Sequence, residues 1–380
     1  MEKGGLMKHK KIVVAGHVAL DITPAFENAS GQSFSDILKP GKLVNVGAAQ
    51  INNGGAVSNT GLALHKLGAD VTLLGKTGND LFGEIVRKRA GEAGCKMDMI
   101  LSDTDATSYT IVIAPRGSDR AFLHDPGCNN TFAYDEIRME TIEEAQYFHF
   151  GYPPLMRKFY ENDGEMLVQM YREIKQKGLV TSLDLASIDP ESEAGKCDWE
   201  KILGKVLPYV DFFVPSIEEV GYMLDRERYD RWQKEAGREE VISVLSLEKD
   251  IMPIAEKALS LGCRAVMVKC GAAGMYLTTS SEDNMRKVDE DLKGWGEQKI
   301  FQKSYMPERV LSGTGAGDTS IAAFLKSVME GESPKRSLEY AAATGACCVT
   351  TYDTTSGLLS FEELRKKIDS GWAQQDLLRS

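Results

Sequence analysis

Short apolar runs alternate with amphipathic stretches along most of the chain. Six runs rich in Val, Leu, Ile, Phe and Met have the length of buried strands: Lys11–Gly16, Val71–Gly75, Tyr147–Phe150, Val180–Leu185, Val210–Val214 and Ala265–Lys269. Ala56–Leu67 places its apolar residues on one helical face, and a second helix is predicted from a cap at Asn79 or Asp80 to near Gly94. This alternation predicts an α/β fold with a mainly parallel central sheet covered by helices.

Two kinds of segment interrupt the alternation. Leu43–Ile51 and Ser108–Leu123 look extended, with turns at Gly47 and at Arg116–Gly117, and no helix of their own follows them. We therefore expect a small separate sheet beside the main one. The stretches 225–250 and 280–303 are polar and charge-rich, and we expect exposed helix and loop there.

Composition narrows the class of protein. The chain has 380 residues, and 45 basic against 56 acidic side chains give a net charge of −11. An acidic surface argues against a nucleic-acid or anionic-membrane binder. The apolar run 12–20 is too short to span a membrane, which takes about 20 residues. Seven cysteines without a CxxC pair argue against a disulfide framework, so a reduced, cytoplasmic protein is expected.

The strongest chemical signal is the segment Gly313-Thr-Gly-Ala-Gly-Asp318, which opens onto an amphipathic helix over Thr319–Glu330. Free backbone N–H groups and the positive end of the helix dipole converge at such a start and make an anion site. An acidic residue in a first helical turn often only complements the dipole. Beside an anion cradle, however, Asp318 suits a base that takes a proton from an attacking hydroxyl.

Three weaker motifs accompany it. Asn52-Asn-Gly-Gly-Ala-Val-Ser-Asn59 sets a double glycine before a helix, Pro215-Ser-Ile-Glu-Glu219 follows a predicted strand, and Lys269-Cys-Gly-Ala-Ala-Gly274 is a glycine turn at another strand end. Each alone is explained by turn or cap chemistry. The earlier segment Gly313-x-Gly315-x-Gly317 resembles the dinucleotide fingerprint GxGxxG, but that fingerprint would need glycine where Asp318 stands, so a dehydrogenase is disfavoured.

In this order and spacing, the motifs resemble the PfkB family of carbohydrate kinases, which have the ribokinase-like fold. The resemblance covers about residues 11–359, and its most specific parts are the double-glycine segment with Gly75–Gly83 and the Gly315–Asp318 segment. It implies a kinase domain over 11–360 with a β-sheet lid built from about 18–52 and 106–126. An N-terminal extension (1–10) and a C-terminal helix and tail (361–380) flank that domain.

The resemblance also implies roles for individual residues. Sugar contacts are implied for Asp21, Gly54, Gly55 and Asn59. Asp318 matches the catalytic base, and the anion hole matches Gly315, Ala316 and Gly317. Nucleotide contacts are implied for Gly271, Gly274, Ala342, Ala343 and Gly345. Close helix packing explains the last three residues equally well.

The family uses ATP with Mg²⁺, and a cation held mostly by phosphate and water needs few protein ligands. The usual Asn-x-x-Glu appears here as Ser216-x-x-Glu219, in which Glu219 can still orient metal-bound water. Ser312 stands where the family commonly has an Asp that helps to hold an activating K⁺, so K⁺ activation is open and weakly supported. Lids in this family often pair across a homodimer.

These observations imply an ATP-dependent sugar kinase that binds a small sugar and ATP, with neither nucleic acid nor membrane as a partner. A nucleoside kinase of the same fold is the nearest alternative; a base-stacking aromatic on the lid would distinguish it, and Tyr109, Phe122 and Phe132 are candidates. A non-catalytic regulator that binds sugar or nucleotide is a further alternative, although such a binder has no need of Asp318. His124 and His149 could touch substrate, but core or loop positions explain them better.

Overall fold

The computed structural model describes residues 10–26, 37, 39–114 and 121–379, which form two β-sheets and twelve α-helices. The predicted N-terminal extension (except Lys10) and the turn at Arg116–Gly117 lie outside these residues. The strands are β1 (Lys11–Gly16), β2 (Ala19–Thr23), β3 (Gln50–Gly54), β4 (Asp70–Gly78), β5 (Lys96–Ser102), β6 (Tyr109–Ile113), β7 (Ala121–Asp125), β8 (Tyr147–Gly151), β9 (Val180–Asp184), β10 (Phe212–Phe213), β11 (Ala265–Lys269), β12 (Gly274–Thr279) and β13 (Lys299–Lys303).

The helices cover both faces of the larger sheet. They are α1 (Gly55–Lys66), α2 (Leu81–Glu92), α3 (Met139–Glu143), α4 (Arg157–Gln176), α5 (Trp199–Val206), α6 (Ile217–Leu224), α7 (Arg226–Ala236), α8 (Met252–Ser260), α9 (Glu282–Val288), α10 (Ala316–Met329), α11 (Pro334–Cys348) and α12 (Phe361–Asp369). Asp80 caps α2 by accepting from the N–H of Gly83, one of the two caps that the sequence predicted.

The larger sheet has the strand order β13-β12-β11-β10-β9-β8-β1-β4-β5, and its strands from β11 to β5 are parallel. Successive strand residues point to opposite faces, so each face has its own core. Val13 belongs to the core beneath α4 and α5, and its neighbour Ile12 to the core beneath α1, α10 and α11. The predicted parallel α/β architecture is confirmed.

The second sheet is small, with the order β3-β2-β6-β7, and it confirms the predicted separate sheet. We call it the lid. Residues 19, 21, 110, 112, 122 and 124 alternate along its strands and face the main domain. The prediction for Leu43–Ile51 was wrong in its extent: residues 43–49 have no regular structure, and the strand begins at Gln50.

The two charge-rich stretches contain the predicted exposed helix and loop, but each also has buried apolar residues, and the second adds a strand to the main sheet. In the second, β13 extends the main sheet antiparallel to β12, and Met285, Leu292 and Trp295 are almost fully buried. In the first, α7 buries Trp232, whose indole N–H donates to Asp250 at 2.8 Å. A few widely spaced apolar anchors therefore fix segments whose average composition is polar.

Candidate active site

The parallel strands end at one edge of the main sheet, and the lid faces that edge. Five of these strands, β1, β8, β9, β10 and β11, end at or within three residues of His17, Tyr152, Asp184, Ser216 and Lys269, respectively. All five residues line a cleft of about 940 Å³ between the edge and the lid. Ligands of open parallel sheets bind at such an edge, so this cleft is the candidate active site.

Asp318 lies in the first turn of α10, at the floor of the cleft. Its carboxylate is buried and accepts hydrogen bonds from Asn59 Nδ2 at 3.0 Å and from the Tyr152 hydroxyl at 2.9 and 2.8 Å. Burial raises the pKa of Asp318 above its ordinary value, although Lys269 and these two hydrogen bonds act in the opposite direction. Asp318 is therefore a stronger base than an exposed carboxylate.

The glycine loop before Asp318 has the geometry that the sequence predicted. Gly315 adopts a left-handed conformation, with φ of 73°, and α10 begins at the next residue. A Cβ there would lie 2.3 Å from Cγ2 of Thr354, so no larger residue fits. The first N–H groups of α10 therefore open toward the cleft that Gly315, Gly317 and Asp318 line.

Lys269, at the end of β11, supplies a cation beside this loop. Its Nζ lies 2.7 Å from Oδ1 of buried Asp184, and a Cβ at Gly317 would lie 3.7 Å from the same Nζ. Burial by itself lowers the pKa of Lys269, but Asp184 and Glu219 raise it and the net shift is upward. In the sequence, Lys269 is recognisable only as the first residue of a glycine turn. Its pairing with Asp184 could not be predicted, because nothing in the sequence shows that β9 and β11 lie close together.

Two of the four predicted sugar-contacting residues, Asp21 and Gly54, belong to lid strands, and Gly55 and Asn59 belong to α1. Gly54 is not among the described residues that line the cleft. Asp21 projects from lid strand β2, and a Cβ at Gly54 would lie 2.4 Å from its carboxylate. Gly55 has φ of 82° and lies against the His17 backbone, where a Cβ would be 2.5 Å from the carbonyl oxygen. Burial raises the pKa of Asp21 to about 6. Asp21, Gly55 and Asn59 line the cleft.

Two histidines, His17 and His124, lie side by side in the lining of the cleft. His17 is almost fully buried, and within the described part of the chain neither of its ring nitrogens has a hydrogen-bond partner. Burial lowers the pKa of His17 to about 3, so the ring is neutral. The ring of His124, on lid strand β7, lies 5.2 Å away between centroids. His149 instead lies in the core, 2.7 Å from the Ser182 hydroxyl.

The three aromatic candidates for base stacking lie in different environments. Tyr109 points away from the cleft and packs edge-on against Phe82, with 5.6 Å between ring centroids. Phe132 is fully buried in the main core. Phe122 alone of the three lines the cleft, from lid strand β7.

Only some of the residues predicted to contact the metal or the nucleotide line the cleft. Glu219 lines the cleft and forms a capping box with Ser216, whose N–H donates to its Oε2 at 2.7 Å. Gly271 also lines the cleft. Gly274 instead packs against β13, where a Cβ would lie 2.0 Å from the Gln302 carbonyl oxygen.

The remaining nucleotide candidates, Ala342, Ala343 and Gly345, lie on α11, which packs against α10. Both alanines are buried, and a Cβ at Gly345 would lie 2.5 Å from the Ser320 hydroxyl. None of the three is among the described residues that line the cleft. This placement agrees with close helix packing, the alternative that the sequence left open.

Comparison with known proteins decides the family. The model of pfkB family carbohydrate kinases matches residues 9–360. The chain belongs to this family. The enzyme is therefore a carbohydrate kinase, as the resemblance in its sequence predicted.

Relatives and solved structures agree with this assignment. An uncharacterized sugar kinase of Archaeoglobus fulgidus is 23% identical over 300 residues, which are 78% of this chain and 98% of the relative. The structure of Arabidopsis thaliana ribokinase complexed with ribose and ATP superposes with a TM-score of 0.68 at 20% identity, covering 94% of this chain and 98% of that one. A putative ribokinase II of E. coli in complex with ATP and Mg²⁺ gives 0.67 at 21% identity, covering 95% and 99%. These likenesses show the ribokinase-like fold.

Within the ranges that the structure describes, no helix is both long and apolar enough to cross a lipid bilayer.

Proposed function

We propose that this kinase transfers the γ-phosphoryl group of ATP to a hydroxyl group of a sugar, with Asp318 as the general base. The observation that carries the proposal is the placement of one buried carboxylate at the start of α10, beside a glycine loop and within the substrate cleft. The Arabidopsis ribokinase that shares this fold binds ribose and ATP, which supports the same pair of substrates here.

In the proposed reaction, the sugar hydroxyl gives its proton to an Asp318 oxygen while its own oxygen attacks the γ-phosphorus. The bond between that phosphorus and the bridging β,γ-oxygen breaks, and ADP leaves. Phosphoryl transfer needs mainly positioning and charge stabilisation. The raised pKa of Asp318 brings its proton affinity closer to that of the reacting hydroxyl, as general base catalysis requires.

The negative charge on the transferred group would be stabilised by the amides of Gly315, Ala316 and Gly317. These amides are fixed by the left-handed Gly315 and lie at the positive end of the α10 dipole. Lys269 adds a cation beside them, since Asp184 keeps its ammonium group protonated. Asp21, Gly54, Gly55 and Asn59 would hold the sugar hydroxyls.

The residues present fit a Mg²⁺ ion that is held mainly through water and phosphate. In the described part of the chain, no group of three or more His, Cys, Asp or Glu side chains is arranged to bind a metal directly. The Glu219 carboxylate is oriented by the Ser216 amide at 2.7 Å and can accept hydrogen bonds from metal-bound water. When bound, Mg²⁺ neutralises charge on the phosphate oxygens. At the position of the family's K⁺ aspartate, Ser312 Oγ accepts from the N–H of Thr314 at 3.1 Å.

A nucleoside kinase remains a second candidate because Phe122 lines the cleft from the lid. An aromatic ring at this position could stack on a base attached to the sugar. The reaction at Asp318 would be the same, and only the acceptor would differ.

The test is ADP release with Mg·ATP over a panel of sugars and nucleosides, for the wild type and Asp318→Asn. We expect turnover with a sugar that falls by at least about 1,000-fold in the variant, because base and orientation are lost together. Asp80→Asn, which changes a helix-capping aspartate away from the cleft, is the matched control and should retain activity. Turnover with nucleosides alone would favour the second candidate. ATP binding without turnover on any acceptor would contradict the proposal and favour a non-catalytic regulator.

We also propose that two copies associate through their lids. Leu123 and Ile51, on the lid strands at the two edges of that sheet, have exposed fractions of 57% and 39%. An exposed edge with apolar side chains favours pairing with a second copy.

A further inference from the structure

Tyr152 makes a contact with the proposed base that the family resemblance does not assign. Its hydroxyl lies 2.9 Å from Oδ1 and 2.8 Å from Oδ2 of Asp318, so it donates to the carboxylate between its two oxygens. Asn59 donates to Oδ2 at 3.0 Å, and the Thr60 hydroxyl donates to Oδ1 at 3.4 Å. Three donors from two separate elements therefore hold one carboxylate.

The backbone at Tyr152 is held in an unfavourable conformation. Its φ and ψ are 67° and 41°, a left-handed combination that is rare for a bulky residue and persists only where the surroundings impose it. Gly151 ends β8 immediately before it, and the buried Pro153 and Pro154 follow it. The Leu155 N–H also donates to the Tyr152 carbonyl oxygen at 3.0 Å. These constraints point the phenol at Asp318 as a fixed donor.

The Asp318 carboxylate has few hydrogen-bond acceptor positions left for a substrate. A carboxylate accepts about four hydrogen bonds, and three are already accounted for by Asn59, Thr60 and Tyr152. About one direction is left from which the acceptor hydroxyl can give up its proton. Rotation of the carboxylate would change the direction in which that free position points.

We propose that Tyr152 is a positioning residue for the general base, because its hydroxyl bridges both oxygens of the Asp318 carboxylate and so fixes the plane in which that carboxylate meets the substrate. This inference rests on the proposed role of Asp318. Burial and the nearby Asp318 charge hold the pKa of Tyr152 well above its ordinary value, so the phenol stays protonated and remains a donor.

The direct test is Tyr152→Phe, which keeps the ring beside His17 and removes only the hydroxyl. We expect kcat to fall by about 10- to 100-fold, the range for losing a hydrogen bond to a charged group, with KM changed by less than about three-fold. The matched control is Tyr134→Phe, which removes a 3.0 Å hydrogen bond from a buried tyrosine to the Glu173 carboxylate outside the cleft. An unchanged kcat would overturn the proposal. A lower KM at unchanged kcat would overturn it too, because it would show that Tyr152 competes with the acceptor.

A second readout does not need turnover. The Tyr152 hydrogen bond lowers the pKa of Asp318, so the Phe variant should titrate this carboxyl at higher pH. The other charged groups that act on Asp318, which are Lys269, Asp184, Glu219 and Asp21, are the same in both proteins. Carbon-13 NMR of labelled aspartate, assigned with Asp318→Asn, measures this titration. If the Asp318 titration is the same in Tyr152→Phe and in the wild type, the positioning role is overturned. If the titration shifts in the variant but the wild type phosphorylates no acceptor, only the proposed function is overturned.

Discussion

Asp21 offers a test in which stability and function change in opposite directions. Burial raises the pKa of its carboxyl from 3.8 to about 6, so the folded protein binds this proton more tightly than the unfolded chain does. The group therefore contributes most to stability below pH 4, and that contribution is lost as the pH rises through about 6. At about 1.4 kcal/mol per pKa unit, the loss is up to about 3 kcal/mol.

Asp21→Asn removes this loss because an amide has no charge to bury. The unfolding entropy of a chain this long is roughly 0.8 kcal/mol per degree, so about 3 kcal/mol corresponds to about 4 °C in Tm. We expect the Tm of the variant minus that of the wild type to rise by up to about 4 °C between pH 4 and pH 7 and then to level off. Differential scanning calorimetry across that pH range measures it. At pH 8 the same variant should phosphorylate sugar poorly, because a contact with a substrate hydroxyl is lost.

Asp80→Asn is a control for which the expected change in stability has the opposite sign. Burial alone would raise the pKa of Asp80, but hydrogen bonds from Gly83 and Thr107 lower it below its ordinary value. That variant should therefore be the less stable protein at pH 7, and the difference should shrink as the pH falls toward that lowered pKa. If the difference in Tm between Asp21→Asn and the wild type stays constant with pH, the ionised Asp21 carboxylate does not destabilise the fold and the prediction is refuted.

Three further predictions concern the loop, the histidine and the lid. Gly315→Ala should lower kcat at least about ten-fold in the ADP-release assay, since its Cβ would collide with Thr354 and shift the amides of the loop. His17 lines the cleft, and among the described residues neither of its ring nitrogens has a hydrogen-bond partner, so either nitrogen is available to a sugar hydroxyl. His17→Leu should therefore raise KM for the sugar about ten-fold or more without lowering Tm, since no hydrogen bond within those residues is lost. An unchanged KM would contradict a substrate contact by His17. Leu123→Asp should convert a lid-paired dimer into monomers in sedimentation analysis, and a wild type that is already monomeric would refute the lid pairing.

The sequence predicted those parts of the fold and site whose signals are local. Continuous apolar runs mark buried parallel strands, so β1, β8, β9 and β11 were found nearly to the residue. The loop before α10 was found because a glycine-rich segment that opens directly onto an amphipathic helix is typical of an anion site. Strands β12 and β13 were missed. β13, at the edge of the sheet, is short and charged, so no apolar run marks it.

What the sequence did not predict depends on contacts between distant segments. Asp184 and Lys269 are 85 residues apart and meet because β9 and β11 flank β10. Tyr152 is 166 residues from Asp318, and its left-handed backbone has no local signature in a Tyr-Pro-Pro segment. Such residues are found only when the strand order is known, because it is the strand order that brings their side chains to one edge.

The charges around the cleft show why backbone amides, rather than side chains, are the expected phosphate ligands. Among its described lining residues the cleft has five carboxyl groups, at Asp21, Asp184, Asp189, Glu219 and Asp318, but only one ammonium group, at Lys269. Lys269 is already paired with Asp184, so its charge is partly neutralised. Further basic side chains would lower the pKa of Asp318 and weaken it as a base. Amides at a helix start stabilise an anion without carrying a full charge, so they can bind phosphate and still leave the carboxylate basic.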